Sequence, residues 1–248
     1  MDTEEVRRKV ETEYDAAMSS DKKIASITNK GKKTYSDAST YASRAGTHMG
    51  RALADSIAEE AEDMVITAEE AQALIPAALL LNYKNVVAIA RAAQEAMNED
   101  AEIGLAALLP EFDERRAAEI AAETAQAFAP QLLVSACENA SRQVVDSSMR
   151  VNAQAQSNAG LRVTVTRIYD GVGLSGGRVC TWCLERCGTD MSYSEAYGKG
   201  AFQRHPGCGC ELIYKTGKSV QRQSNWRHNR WEDVSEAQLR ARKEYGLD

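Results

Sequence analysis

The sequence has no apolar run near the roughly 20 residues that a bilayer-spanning helix needs. Its longest, Ala73 to Leu81, is short and has Pro76 inside it. A membrane partner is therefore not expected. The chain also lacks a basic stretch followed by an apolar core at its start, which reads Met1-Asp2-Thr3-Glu4-Glu5, so it is expected to stay in the cytoplasm where it is made. Proline is scarce, with 4 residues in 248, and the few helix breakers sit where helices can begin or end. Cysteine is nearly absent outside one short stretch: of 6, only Cys137 lies beyond Cys180 to Cys210. In a reducing compartment such clustering argues against a disulfide framework and for a metal. Enzyme signatures are missing as well. There is no His-Glu-x-x-His, no Gly-x-Ser-x-Gly and no phosphate-binding glycine loop, and Gly171-Val172-Gly173 and Ser175-Gly176-Gly177 read as a flexible lead. Glu185, Asp190 and Glu195, the acidic residues near the cysteines, stand in no protease or deaminase pattern, so no catalytic role is expected. No repeat recurs at a solenoid period.

What is present reads as an α+β chain. An apolar fraction of 44% over 248 residues is enough for a real core. Residues 1–129 are rich in Ala, Glu, Gln and Arg and show helical periodicity without a sheet signal. Thr67-Ala68-Glu69-Glu70 has the form of a capping box, and the apolar positions after it predict a helix, with Pro76 a break or kink within it. Pro110 and Pro130 each suit the first turn of a new helix. From Pro130 the positions Leu133, Cys137, Ala140, Val144, Ser148 and Val151 trace one stripe along a helix running to about Ser157. Cys137 is then a small buried hydrophobe.

Gly160 is the expected stop, and Leu161 to Tyr169 alternates with β-branched residues as a strand does. A loop, Asp170 to Gly177, leads into the cysteines, and Glu211 to Lys215 reads as a second strand. The expected division is 1–129 helical, 130–215 a long helix with a small metal-stapled β domain, and 216–248 an exposed basic and aromatic arm. That arm includes Trp226 and His228 and ends in a short helix capped at Ser235. Charge follows a similar division: residues 1–139 carry 14 basic and 25 acidic side chains, a net −11, whereas residues 140–230 carry 13 and 6, a net +7. An acidic front and a basic back suit different neighbours.

Cys180-Thr181-Trp182-Cys183 is a knuckle that can aim two thiolates at one point. His205, Cys208 and Cys210 follow, with Pro206, Gly207 and Gly209 supplying tight backbone. Together they predict one structural zinc ion. Cys180, Cys183 and Cys208 rank first as ligands; His205 and Cys210 compete for the fourth place, and Cys187 stands outside. The alternative is a set of reduced cysteines, or a redox pair. His48, between Gly46 and Gly50, reads as an ordinary helix or surface residue.

Arg178-Val179-Cys180-Thr181-Trp182-Cys183 and His205-Pro206-Gly207-Cys208-Gly209-Cys210, preceded by a helical region and a strand, resemble the carboxy-terminal motif of phage head-morphogenesis proteins, the Mu F-like minor head proteins. The resemblance covers about residues 130–215. Gly209 stands where arginine is commoner, and Cys187-Gly188-Thr189-Asp190 replaces the usual Asp-Gly. The resemblance implies a non-enzymatic minor capsid protein of a tailed phage or prophage. Such a protein acts near the portal in head assembly, in the host cytoplasm and then in the virion head. Its partners would be the portal and major capsid proteins, with packaged DNA as a further contact and no small-molecule substrate. The rivals are a nucleic-acid-binding zinc-ribbon protein and a zinc-dependent or ADP-ribosyltransferase-like enzyme.

Overall fold

A computed structural model of the chain describes residues 1–61, 64–169, 180–205, 208–217 and 219–223. Eight helices and four strands follow in order among them. They are α1 (Thr3–Ser20), α2 (Lys22–Asn29), α3 (Tyr35–Glu60), α4 (Ala68–Asp100), α5 (Glu114–Gln126), α6 (Pro130–Asn158), β1 (Val163–Ile168), α7 (Thr181–Glu185), β2 (Gly188–Ser192), α8 (Tyr193–Gly198), β3 (Glu211–Thr216) and β4 (Ser219–Gln223). The fold is α+β and mostly helical, as expected, with one small antiparallel sheet late in the chain. Two compact units interleave along the sequence: Met1–Gly31, Tyr41–Ile89 and Glu111–Val144 form one, and Lys32–Thr40, Ala90–Pro110 and Val145–Asp248 the other.

The first unit is helical. Its helices begin where side chains satisfy otherwise unpaired backbone N–H groups. The Asp2 carboxylate accepts from the N–H of Glu4 and Glu5, Asp21 from those of Lys23 and Ile24, and Asp113 from that of Arg116. The box at Thr67 is reciprocal: the Glu70 N–H donates to the threonine hydroxyl at 3.2 Å while the Glu70 carboxylate accepts from the Thr67 N–H at 2.9 Å. The core gathers Val6, Val10 and Tyr14 of α1, Leu53 and Ile57 of α3, Leu74, Ile75 and Leu79 of α4, Ile120 of α5, and Leu133 and Cys137 of α6. Each large side chain so buried contributes about 1.5–3 kcal/mol.

Helix α4 runs through Pro76 without the expected break. By length and composition alone it could cross a membrane, but half of its most apolar window is buried in the protein, where Leu74, Ile75 and Leu79 lie in this core. A Cβ added at Gly46 would stand 2.5 Å from the Ser141 hydroxyl oxygen and 2.8 Å from the Cys137 carbonyl oxygen. Glycine there lets α3 and α6 approach backbone to side chain. Cys137 is fully buried, and burial pushes its thiol up to about 12, so it acts as the small hydrophobe expected.

The second unit carries the sheet, ordered β2-β1-β3-β4 with every neighbouring pair antiparallel. Helix α6 begins at Pro130 and is closed by Gly160, whose φ of +81° lets the Leu161 N–H reach back to the Gln156 carbonyl at 3.0 Å. Buried amides then link the helices to the sheet. Tyr214 donates to Gln156 at 2.5 Å, Gln156 to Asn98 at 2.8 Å, and Tyr35 to Gln94 at 2.7 Å. The β2 strand bulges against β1 between Val165 and Arg167, with Asp190 at φ +47° and its N–H donating to the Thr166 hydroxyl.

Two expectations are corrected. Pro110 opens no helix: an irregular stretch follows it and α5 starts only at Glu114, capped by Asp113. The segment after Gly217 is not simply an arm, because β4 pairs with β3 from Thr216↔Ser219 to Leu212↔Gln223. The glycine loop expected at 170–177, the tight backbone expected at Pro206 and Gly207, and the helix expected from Ser235 lie outside the described residues.

Candidate metal centre

The sheet brings the chemistry together through two-residue spacing. Along β1, Val163, Val165 and Arg167 share the buried face with Tyr169 just beyond. On the way into β3, Cys208 and Cys210 precede Leu212 and Tyr214 at the same spacing, and all four are buried. Cys180 occupies the N-cap of α7 and Cys183 its interior, so the knuckle is a single helical turn, closed by the Leu184 N–H on the Cys180 carbonyl at 3.1 Å. The Cys180 N–H donates to the Tyr169 hydroxyl at 2.9 Å, which fixes the knuckle to the end of β1. The Cys208 N–H donates to the His205 carbonyl at 3.0 Å, which ties these two residues together.

All five expected ligands converge. Cys180, Cys183 and His205 form one triad of donor atoms and Cys183, Cys208 and Cys210 another, each with its atoms within 4.8 Å of one another. Cys183 belongs to both. The His205 Nε2 lies 3.3 Å from the Cys180 sulfur and 3.0 Å from that of Cys183, and the Cys183 and Cys208 sulfurs are 3.7 Å apart. Tetrahedral zinc geometry spaces ligand sulfurs about 3.8 Å apart, and sulfur from imidazole nitrogen about 3.5 Å. These residues can hold a metal ion. Cys187 packs against the cluster without joining either triad.

The electrostatics couple the thiols of the cluster to one another. Hydrogen bonding with Cys208 and Cys210, then burial, pushes the Cys183 thiol far up, while the same bond to Cys183 holds Cys210 below the ordinary thiol range. Neighbouring sulfurs cannot all ionise side by side, and a bound divalent ion removes that conflict. Trp182 shields one side, its ring edge-on to His205 at 5.1 Å and capped by the Arg186 guanidinium at 3.7 Å.

Residues beyond the expected set complete the surroundings. The Arg167 guanidinium donates to the Cys208 sulfur at 3.4 Å and to the carbonyls of Ala201 at 2.6 Å and Gln203 at 2.5 Å. Arg204, wholly enclosed, makes a two-point ion pair with Asp146 of α6 and donates to the Cys210 carbonyl at 3.0 Å. A signal for Arg167 was present in the sequence, since the strand's alternation sets it on the face of Val163 and Val165, where a charge needs a partner. Arg204 and Asp146 left no comparable trace.

The acidic neighbours serve other ends. Glu195 closes a capping box with Ser192 at the start of α8, Asp190 pairs with Lys215 at 3.0 Å, and Glu185 is exposed beside Arg186. His48 lies on α3 as expected but does have a partner: its Nε2 is 2.8 Å from the Asp21 carboxylate, which Arg44 also contacts at 2.7 Å. No protein-family profile, curated protein or solved structure matches the chain.

Proposed function

We propose that this chain is a structural minor head protein of a tailed phage or prophage, acting near the portal during head assembly, with a zinc ion as the staple of its sheet-bearing part. One observation carries the reading: the two motif halves, Val179-Cys180-Thr181-Trp182-Cys183 and His205-Pro206-Gly207-Cys208-Gly209-Cys210, are separated in sequence yet meet with their donor atoms at ligand spacing. A mixed thiolate and imidazole set is the donor chemistry that suits zinc. The burial of Cys183, Cys208 and Cys210 supports a structural role, because catalytic zinc keeps an open position beside a general base, and the carboxylates of Glu195, Asp190 and Asp146 are already engaged.

On this reading the partners are the portal and major capsid proteins, with packaged DNA as a further contact of the basic later part. The protein would be found in the virion head after assembly in the host cytoplasm. The test is co-purification of the full chain with the portal and capsid proteins encoded beside it. Retention on the portal is the expected outcome. Absence of binding to either protein, together with tight DNA binding that collapses steeply with salt, would contradict it and favour a nucleic-acid-binding zinc ribbon.

A further inference from the structure

Among the described residues Arg167 is the largest side chain buried to this depth, with 2% of its surface exposed. A guanidinium stays protonated at any physiological pH, so its charge requires an answering anion when buried. Asp146 faces Arg204 through both its oxygens, so it acts on Arg167 only at longer range. Arg167 otherwise touches two backbone carbonyls, the Cys208 sulfur and, at 5.8 Å, the Trp182 ring, while its Nε has no hydrogen-bond partner. A neutral thiol does not compensate a cation; a metal-bound thiolate does.

The same count discriminates among ligand sets. Three thiolates, one neutral imidazole and a divalent ion sum to a single negative charge, whereas four thiolates sum to two. One buried guanidinium cancels the first and not the second. We infer that Arg167 is the fixed counter-charge of the cluster and that it selects Cys180, Cys183, Cys208 and His205 as ligands, leaving Cys210 a neighbouring thiol. The His205 Nε2 lies near both knuckle sulfurs and Cys208 is the sulfur that Arg167 hydrogen-bonds, while the donor atoms stand as two triads that share Cys183. The inference rests on the metal reading above and adds a positioning residue and a ligand assignment to it.

The experiment measures zinc affinity by chelator competition, and thiolate-to-metal absorption after cobalt loading, on the full-length protein. Arg167→Gln is expected to weaken zinc binding about 10- to 100-fold, the usual effect of losing a group that supports a ligand. Charge itself is tested by a double-mutant cycle. Cys208→His beside the native Arg167 leaves an excess positive charge but restores neutrality beside Arg167→Gln, so the double variant should bind more tightly than the sum of the two losses allows. Additive losses, or unchanged affinity in folded Arg167→Gln, would overturn the counter-charge role.

Cys208→Ser should remove about a third of the cobalt–thiolate absorption, the share of one sulfur in three, and Cys210→Ser none. The reverse pattern would overturn the ligand assignment even if Arg167→Gln fails to fold. Wild-type protein that takes up neither zinc nor cobalt would instead defeat the metal reading on which all of this stands.

Discussion

At the scale of single residues, charge is placed where burial makes it matter. Burial alone would raise the Asp21 carboxyl, yet hydrogen bonds from Arg44, His48 and the N–H groups of Ile24 and Lys23 outweigh it and hold the carboxyl well below the usual range. The folded chain therefore keeps Asp21 ionised at pH values where the unfolded chain has protonated it. Its stabilisation is complete above about pH 4, the ordinary carboxylate value, and is lost as pH falls further. Acid titration of stability should show this loss, on the order of 2 kcal/mol, and Asp21→Asn should flatten it. An unaltered acid limb in that variant would mean that other carboxylates carry the effect. Asp21 could not be identified from sequence, because its role as a helix cap is local while its partners on α3 are set by packing.

At the scale of elements, what could be read depended on whether the cause was local. Helix α6 was readable from end to end, since Pro130 starts it, a three-and-four apolar stripe fills it and Gly160 stops it. Strands β1 and β3 declared themselves by alternation. Strand β2, Gly-Thr-Asp-Met-Ser, has almost no strand preference of its own and exists by pairing with β1. Helix α8 carries its own start signal in the sequence, the capping box Ser192-Tyr193-Ser194-Glu195. Pro76 shows the opposite failure: the local rule favours a break, but Leu74, Ile75 and Leu79 on either side are held in the core and the helix continues.

The pair between Asp146 of α6 and Arg204, ahead of β3, is an element-scale tie with both side chains enclosed. Asp146→Asn leaves the Arg204 charge buried and only partly answered, and should cost about 3–5 kcal/mol in denaturant unfolding. A cost below 1 kcal/mol would show that the tie is dispensable.

At the scale of the whole molecule, the two units differ in what holds them. The first has an apolar helical core of its own. The second carries a four-stranded sheet whose inner strands β1 and β3 border the cysteine cluster, and on the proposed metal reading that cluster is its staple. Chelation should accordingly strip hydrogen-exchange protection from β1, β2, β3 and residues 180–210 while the core amides of α1, α3 and α4 in the first unit keep theirs. Equal loss in both would contradict a local staple. The acidic balance of residues 1–139 and the basic balance of 140–230 were readable by counting. The convergence of Cys180, Cys183, His205, Cys208 and Cys210 was readable from motif spacing, whereas the enclosing arginines depended on tertiary placement.

The most direct test of the central claim is the metal content of freshly reduced full-length protein by mass spectrometry, set beside the same assay on Cys183→Ser, which removes the sulfur shared by both triads. The account expects about one zinc ion per wild-type chain and none in the variant. Metal-free wild-type protein that keeps its sheet, or a Cys183→Ser chain that retains its zinc, would contradict it.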